Sequence, residues 1–103
     1  MKMIIVYLTC ANEEEALRIS EALLDKKLVA CAKKLPINSS FWWEGKKDTA
    51  SEILVLLETV EDKFEAIEAE VKVHHSYETP MLFAVSVLRT TEKVKKWLRE
   101  ELN

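Results

Sequence analysis

Val71-Lys72-Val73-His74-His75-Ser76-Tyr77-Glu78-Thr79-Pro80 decides the fold, because a helical pattern ends inside it and a strand pattern begins just beyond it. Upstream, Phe64, Ile67, Val71 and His74 fall at i, i+3, i+7 and i+10, one face of an amphipathic helix that Glu61-Asp62-Lys63 opens. Pro80 forbids further helix, and Met81 to Leu88 is an apolar run of strand character. Both histidines of the chain lie side by side in this junction. The spacing predicts His74 on or near the buried helix face, with His75 about a quarter turn away.

Outward from the junction, Ile53 to Val60 reads as a strong apolar strand. It follows a turn at Glu44-Gly45-Lys46-Lys47-Asp48, where Gly45 is free to take positive φ. Phe41-Trp42-Trp43 forms the other arm of that hairpin, and Asn38-Ser39-Ser40 is read as a bend before it. The partner strand starts at Leu28-Val29-Ala30-Cys31-Ala32 and runs through Lys33 and Lys34 towards Pro36. Met3 to Leu8 is a continuous β-branched apolar run, the pattern of a strand buried on both faces. Between these strands, Asn12 is an N-cap, and Glu13, Glu14 and Glu15 suit the positive end of a helix. Ala16, Ile19 and Leu23 line that helix, which ends near Lys26 or Lys27. At the far end, Thr90 or Thr91 caps a last helix with Val94, Trp97 and Leu98 facing inward.

The order is therefore β-α-β-β-α-β-α, an α+β chain. Right-handed crossovers interleave its halves into one four-stranded antiparallel sheet with helices on one face. That is the ferredoxin-like split β-α-β sandwich, with a C-terminal helix and a long β-hairpin arm added, in a single domain over 1–103. Helices on one face leave the other bare. Three tryptophans and strands apolar on both faces are too much for a half-bare sheet, so the chain is expected to be a homo-oligomer, reaching a neighbour through Trp42 and Trp43.

Composition narrows the function. The 103 residues are 49% hydrophobic and 32% charged, which suits a globular chain with one core. Abundant Glu and Lys beside a single glycine lean towards heat stability. A net charge of −3 argues against a general nucleic-acid binder. No apolar run approaches the roughly 20 residues that cross a bilayer, so no membrane partner is expected. The apolar start is too short for a signal peptide and meets Glu13-Glu14-Glu15 at once, so a cytoplasmic location is expected. Cys10 and Cys31 are isolated and read as free thiols, Cys31 as an inert one within a strand.

His74, His75 and Cys10 are the candidate metal ligands. Imidazole suits Cu(II) and Zn(II), and a soft thiolate beside imidazoles suits Cu(I) or Zn(II). Adjacent histidines cannot chelate from one regular helical face but can at a fraying end. The alternative is that His74 packs in the core while His75 caps the helix C-terminus. Tyr77 and Glu78 either orient the histidines and line a ligand cleft between subunits, or simply pack and pair with a surface lysine. Trp42, Trp43, Gly45 and Pro80 read as structural or interface residues.

Along nearly its whole length the chain resembles the divalent-cation tolerance (CutA) family. The matching pieces are Leu28-Val29-Ala30-Cys31-Ala32, Trp42-Trp43-Glu44-Gly45-Lys46, His75-x-Tyr77-Glu78-x-Pro80 and Trp97-Leu98, in family order and spacing. The resemblance implies a compact homotrimer whose hairpin arms pair between subunits, kinship with trimeric PII-type signalling proteins, and a link to tolerance of copper and other divalent cations such as zinc. Several positions depart from the family pattern. Ser76 stands where proline is frequent, Glu58 where lysine is usual, Met81-Leu82 where Glu-Ile is common, and Val94 where an aromatic is frequent. The Glu58 change puts any anionic ligand at that strand end in doubt.

A non-enzymatic metal-binding or metal-responsive trimer is thus the leading expectation. A PII-like module, holding a small molecule or protein in inter-subunit clefts, is the alternative. Acylphosphatase chemistry on this fold class needs a phosphate loop with an arginine, and Arg18, Arg89 and Arg99 all sit on or beside regular elements. An RNA-recognition domain would need strand aromatics and a basic sheet face that the chain lacks.

Overall fold

The structure, a computed structural model, describes residues 1–102. In chain order the elements are β1 (Met3–Cys10), α1 (Glu13–Asp25), β2 (Cys31–Trp43), β3 (Lys46–Val60), a 3-10 turn (Glu61–Lys63), α2 (Phe64–His74), β4 (Leu82–Ser86) and α3 (Glu92–Glu101). The four strands form one antiparallel sheet in the order β2-β3-β1-β4. Sequence neighbours β1 and β2 are separated by β3, which is the interleaved topology expected from the sequence.

Alternation along β1 places Ile4, Val6, Leu8 and Cys10 beneath the helices. Val55 and Leu57 of β3, Ile19 and Leu23 of α1, and Ile67 and Val71 of α2 complete that core. The second face of β1 is not buried as expected: Met3, Ile5, Tyr7 and Thr9 are half-exposed, and among the described residues only Met3 packs against a helix there, α3. Tyr7 stacks on Phe83 there, with ring centroids 5.0 Å apart. At the far end of the sheet α3 builds a small second core from Leu98 and Leu102 against Met3 and Val60, on the face opposite α1 and α2, so the helices do not all lie on one face as expected. Trp97 departs from its expected inward position and is 36% exposed, since Val94 and Leu98 supply the inner face of so short a helix.

Caps set the helix limits. Asn12 Oδ1 accepts the Glu15 N–H at 2.9 Å, and Thr91 Oγ1 accepts the Val94 N–H at 3.2 Å. The end of α1 closes with Leu28 N–H on Leu23 O and Lys27 N–H on Leu24 O, around a left-handed Lys27 (φ 55°). This cap consumes Leu28 and its neighbours, so β2 begins at Cys31 rather than at Leu28. Its lead-in is still anchored, since Ala30 N–H donates to Glu58 O and the Thr59 hydroxyl to Leu28 O.

The hairpin arm is longer than expected. Asn38-Ser39-Ser40 is not a bend; the β2–β3 ladder continues unbroken to the pair Trp43–Lys46. The turn shrinks to Glu44-Gly45, both with positive φ (50° and 79°), the two-residue reversal that matches strand twist. Polar residues occupy both faces of this outer ribbon, so it lacks the apolar alternation that marks a strand in sequence. Trp42 and Trp43 are 71% and 50% exposed near its tip.

α2 stops earlier than Pro80 demands. His75 already has extended backbone (φ −82°, ψ 140°), and an irregular turn carries the chain to β4. β4 is correspondingly shorter than the apolar run of Met81 to Leu88.

Candidate functional site

Three chain segments meet at the C-terminal end of β1. Strand alternation turns Cys10 inward, and it is fully buried. The first turn of α1 supplies Glu15, 3% exposed. The extended backbone after α2 swings His75 over the strand end, with no exposed side-chain surface. One ligand atom from each of Cys10, Glu15 and His75 lies within 4.8 Å of the other two.

The structure reverses the roles of the two histidines. His74, on the last helical turn, is half-exposed and faces Glu70 at 3.4 Å; its carbonyl accepts the Arg18 guanidinium at 3.1 Å. Glu70 is also paired with Lys26 at 2.7 Å, so His74 belongs to a surface clamp between α1 and α2. His75 enters the interior because its backbone has already left the helix. A helical wheel continued one residue too far cannot show that.

His75 is fixed on both nitrogens. Nδ1 lies 3.0 Å from the Tyr77 backbone N–H, which can only donate, so Nδ1 accepts. Nε2 therefore carries the proton and donates to Thr9 O at 2.8 Å. The Glu15 carboxylate accepts the Ala11 N–H at 2.7 Å on Oε2 and the Ser76 N–H at 2.6 Å on Oε1. Its Oε2 lies 3.7 Å from His75 Nε2, and its Oε1 lies 3.9 Å from the Arg18 guanidinium. Burial pushes this carboxyl up, but the Ala11 and Ser76 bonds and His75 outweigh burial and hold it below the ordinary glutamate value. Burial, then the nearby Glu15 charge, pushes the Cys10 thiol up to about 12.

Tyr77 lies beside the cluster, its ring centroid 5.0 Å from that of His75. Its hydroxyl donates to Glu52 Oε2 at 2.7 Å, and burial followed by that bond pushes the phenol up to about 12. Glu52 is only 7% exposed. It also lines an open cleft of about 460 Å³ between the start of α1 and the β2–β3 arm, with Asn12, Glu13, Asn38 and Ser51. Glu78 is exposed, and among the described residues it makes no hydrogen bond to the cluster. Pro80 sits half-buried in the turn.

Sequence reasoning missed Glu15 and Glu52. Asn12-x-x-Glu15 is a capping box, and that spacing was the available signal that Glu15 turns back over the helix start rather than into solvent. Glu52 gave no signal, because only the fold brings Tyr77 against it. Cys31 is half-buried on the sheet face opposite α1 and α2, not in the core; Lys33 Nζ lies 3.5 Å from its sulfur and pairs with Glu58 across the strands. The acidic residue at position 58 thus has its own lysine partner.

Residues 4–101 match the family model for the CutA1 divalent ion tolerance protein. The chain belongs to this family. It is 42% identical to the divalent-cation tolerance protein CutA of Archaeoglobus fulgidus over 95 residues, 92% of this chain and 93% of that one. Its identity to the CutA of Thermotoga maritima is 38% over 100 residues, covering 97% and 99% of the two chains. Among solved structures, the A. fulgidus protein, described as a periplasmic CutA, superposes with a TM-score of 0.96 at 40% identity, covering 98% of this chain and 99% of that one. The CutA1 of Oryza sativa gives a TM-score of 0.94 at 33% identity, covering 98% and 94%. Divalent-cation tolerance is thus the family role. Among the described residues, no helix is long and apolar enough to cross a membrane.

Proposed function

We propose that this CutA1-family protein binds copper, or a similar divalent cation such as zinc, at Cys10, Glu15 and His75, as a cytoplasmic homotrimer without catalytic activity. The observation that carries the reading is the convergence of thiol, carboxylate and imidazole within 4.8 Å at the end of β1. This donor set fits zinc and copper, with the thiol favouring their softer forms. His75 and Glu15 remain from the ordinary inventory of ligands once their present bonds are exchanged; His74 does not reach the cluster. The sheet face opposite α1 and α2 supports self-association, since beyond α3 it presents Ile5, Tyr7, Leu35, Leu54, Leu56, Phe83 and Val85 together. The number of subunits comes from the family resemblance.

Calorimetric titration with Cu(II) and with Zn(II) tests the site. His75→Ala should weaken binding more than the roughly 10–100-fold typical of losing a supporting residue. His74→Ala should leave the affinity unchanged. Equal affinity in all three proteins would sink the assignment.

The thiol adds a second expectation. At neutral pH Cys10 is protonated, and a coordinating thiol gives up its proton. Affinity should therefore rise about tenfold per pH unit between roughly pH 6 and 9, with one proton released per ion. Titration in buffers of different ionisation enthalpy counts that proton. Binding that is independent of pH would remove Cys10 from the ligand set.

A PII-like role, with a small molecule held between subunits, is the second reading, and the open cleft beside Glu52 favours it. A thermal-shift screen against metabolites in metal-free buffer separates the two.

A further inference from the structure

The cluster at the end of β1 is shut by bonds from a single turn. Ser76 N–H donates to Glu15 Oε1 at 2.6 Å, Tyr77 N–H to His75 Nδ1 at 3.0 Å, and Tyr77 Oη to Glu52 Oε2 at 2.7 Å. The turn itself is irregular and mostly exposed between α2 and β4, so little besides these three bonds holds it down.

Neither imidazole nitrogen of His75 has a spare lone pair. An ion arriving at Nδ1 takes the lone pair that the Tyr77 N–H occupies. An ion arriving at Nε2 takes the nitrogen that now bears the proton. A neutral imidazole ligand then carries its hydrogen on Nδ1, where it points at the Tyr77 N–H, donor against donor. Both routes expel the Tyr77 amide. The neighbouring Ser76 amide sits on Glu15, the second donor of the cluster, and the Tyr77 hydroxyl reaches a carboxylate on the cleft wall.

From this geometry we infer that the Ser76–Tyr77 turn is a latch, closed on His75, Glu15 and Glu52 and opened when a cation takes His75. This rests on the metal reading given above. Opening parts Tyr77 from Glu52, so a buried carboxylate loses its donor at the wall of the cleft. Occupancy of the cluster is thereby converted into a change of shape and charge on the surface between α1 and the arm. The latch is a two-state element, and the cation shifts it only through its preference for the open form.

The coupling has an unusual sign. Tyr77→Phe removes the hydroxyl that holds the latch shut while keeping the ring. A hydrogen bond to a charged group contributes enough that its loss should tighten Zn(II) binding about tenfold. A tyrosine that merely supported the ligands would weaken binding when truncated. Hydrogen exchange read by NMR gives a second measure: saturating Zn(II) should speed exchange of the Ser76 and Tyr77 amides at least about tenfold in the wild-type protein.

Zn(II) is the probe, because it has no redox chemistry with the thiol. Calorimetry on wild type and Tyr77→Phe, with exchange rates measured on the same samples and thermal melts to verify folding, tests the latch. Tighter binding by the variant together with faster exchange supports it. Stoichiometric Zn(II) binding with unchanged amide protection, or weaker binding by Tyr77→Phe, overturns the latch and leaves the metal site standing. Absence of any stoichiometric Zn(II) site overturns both.

Discussion

Glu15→Ala should destabilise the protein by about 3–5 kcal/mol, the range for removing a buried charged partner. The carboxylate is buried and joins three segments: Ala11 after β1, the start of α1, and Ser76 after α2. Its loss strips two backbone N–H groups of their acceptor, and each hydrogen bond to a charged group contributes about 1.5–3 kcal/mol. The alanine also leaves a void beside Cys10 and His75. Urea unfolding, with the midpoint compared at constant slope, measures the effect. A change under about 1 kcal/mol, the scale of ordinary surface substitutions, would show that Glu15 does not tie these segments together.

The same residue sets an acid limit. Its folded pKa lies below the ordinary glutamate value, so the folded state binds this proton less readily than the unfolded state does. The resulting stabilisation is fully present above the unfolded pKa and is lost as pH falls through the folded one. Wild type should therefore lose stability below about pH 4.5, near the unperturbed glutamate value. Glu15→Gln should lose less over the same window, because its amide oxygen does not titrate. Parallel pH profiles for the two proteins would remove Glu15 as the source.

Phe83→Asp should convert the proposed trimer to monomers of 11.9 kDa. Phe83, on the edge strand β4, stacks on Tyr7 on the sheet face opposite α1 and α2 and is 44% exposed in the single chain. Burying an uncompensated carboxylate in such an interface costs about 3–5 kcal/mol. That lowers the association constant by about two to four orders of magnitude. The core beneath α1 and α2 lies on the opposite face, so the monomer should keep its cooperative melt. Sedimentation equilibrium reads the mass. A wild type already sedimenting at the monomer mass would end the oligomer proposal; a variant that stays assembled would move the interface elsewhere.

The fold was legible because its signals are local. Met3 to Leu8 is an unbroken apolar run, Asn12 precedes three glutamates, and Phe64, Ile67 and Val71 keep helical spacing. Each pattern states an element type, and the order of elements with the crossover rule leaves few topologies. The hairpin arm was less legible. Its outer strands have no core to face, so polar Asn38, Ser39 and Ser40 resembled a bend although the ladder passes through them unbroken.

The site divided along the same line. Cys10 and His75 could be singled out by residue type, because few side chains hold a soft cation. Their meeting, and the exclusion of His74, depend on where α2 stops, and one residue of helix more or less exchanges the two histidines between surface and interior. Glu15 and Glu52 could be recognised only through partners distant in sequence, at Ser76 and Tyr77. By itself the sequence determined the elements, their order and the chemical types available, since helix and strand periodicities are written in near neighbours. The tertiary structure alone decided which donors converge and which turn closes over them. Those contacts join residues far apart along the chain, and their distances follow from packing the helices onto the sheet.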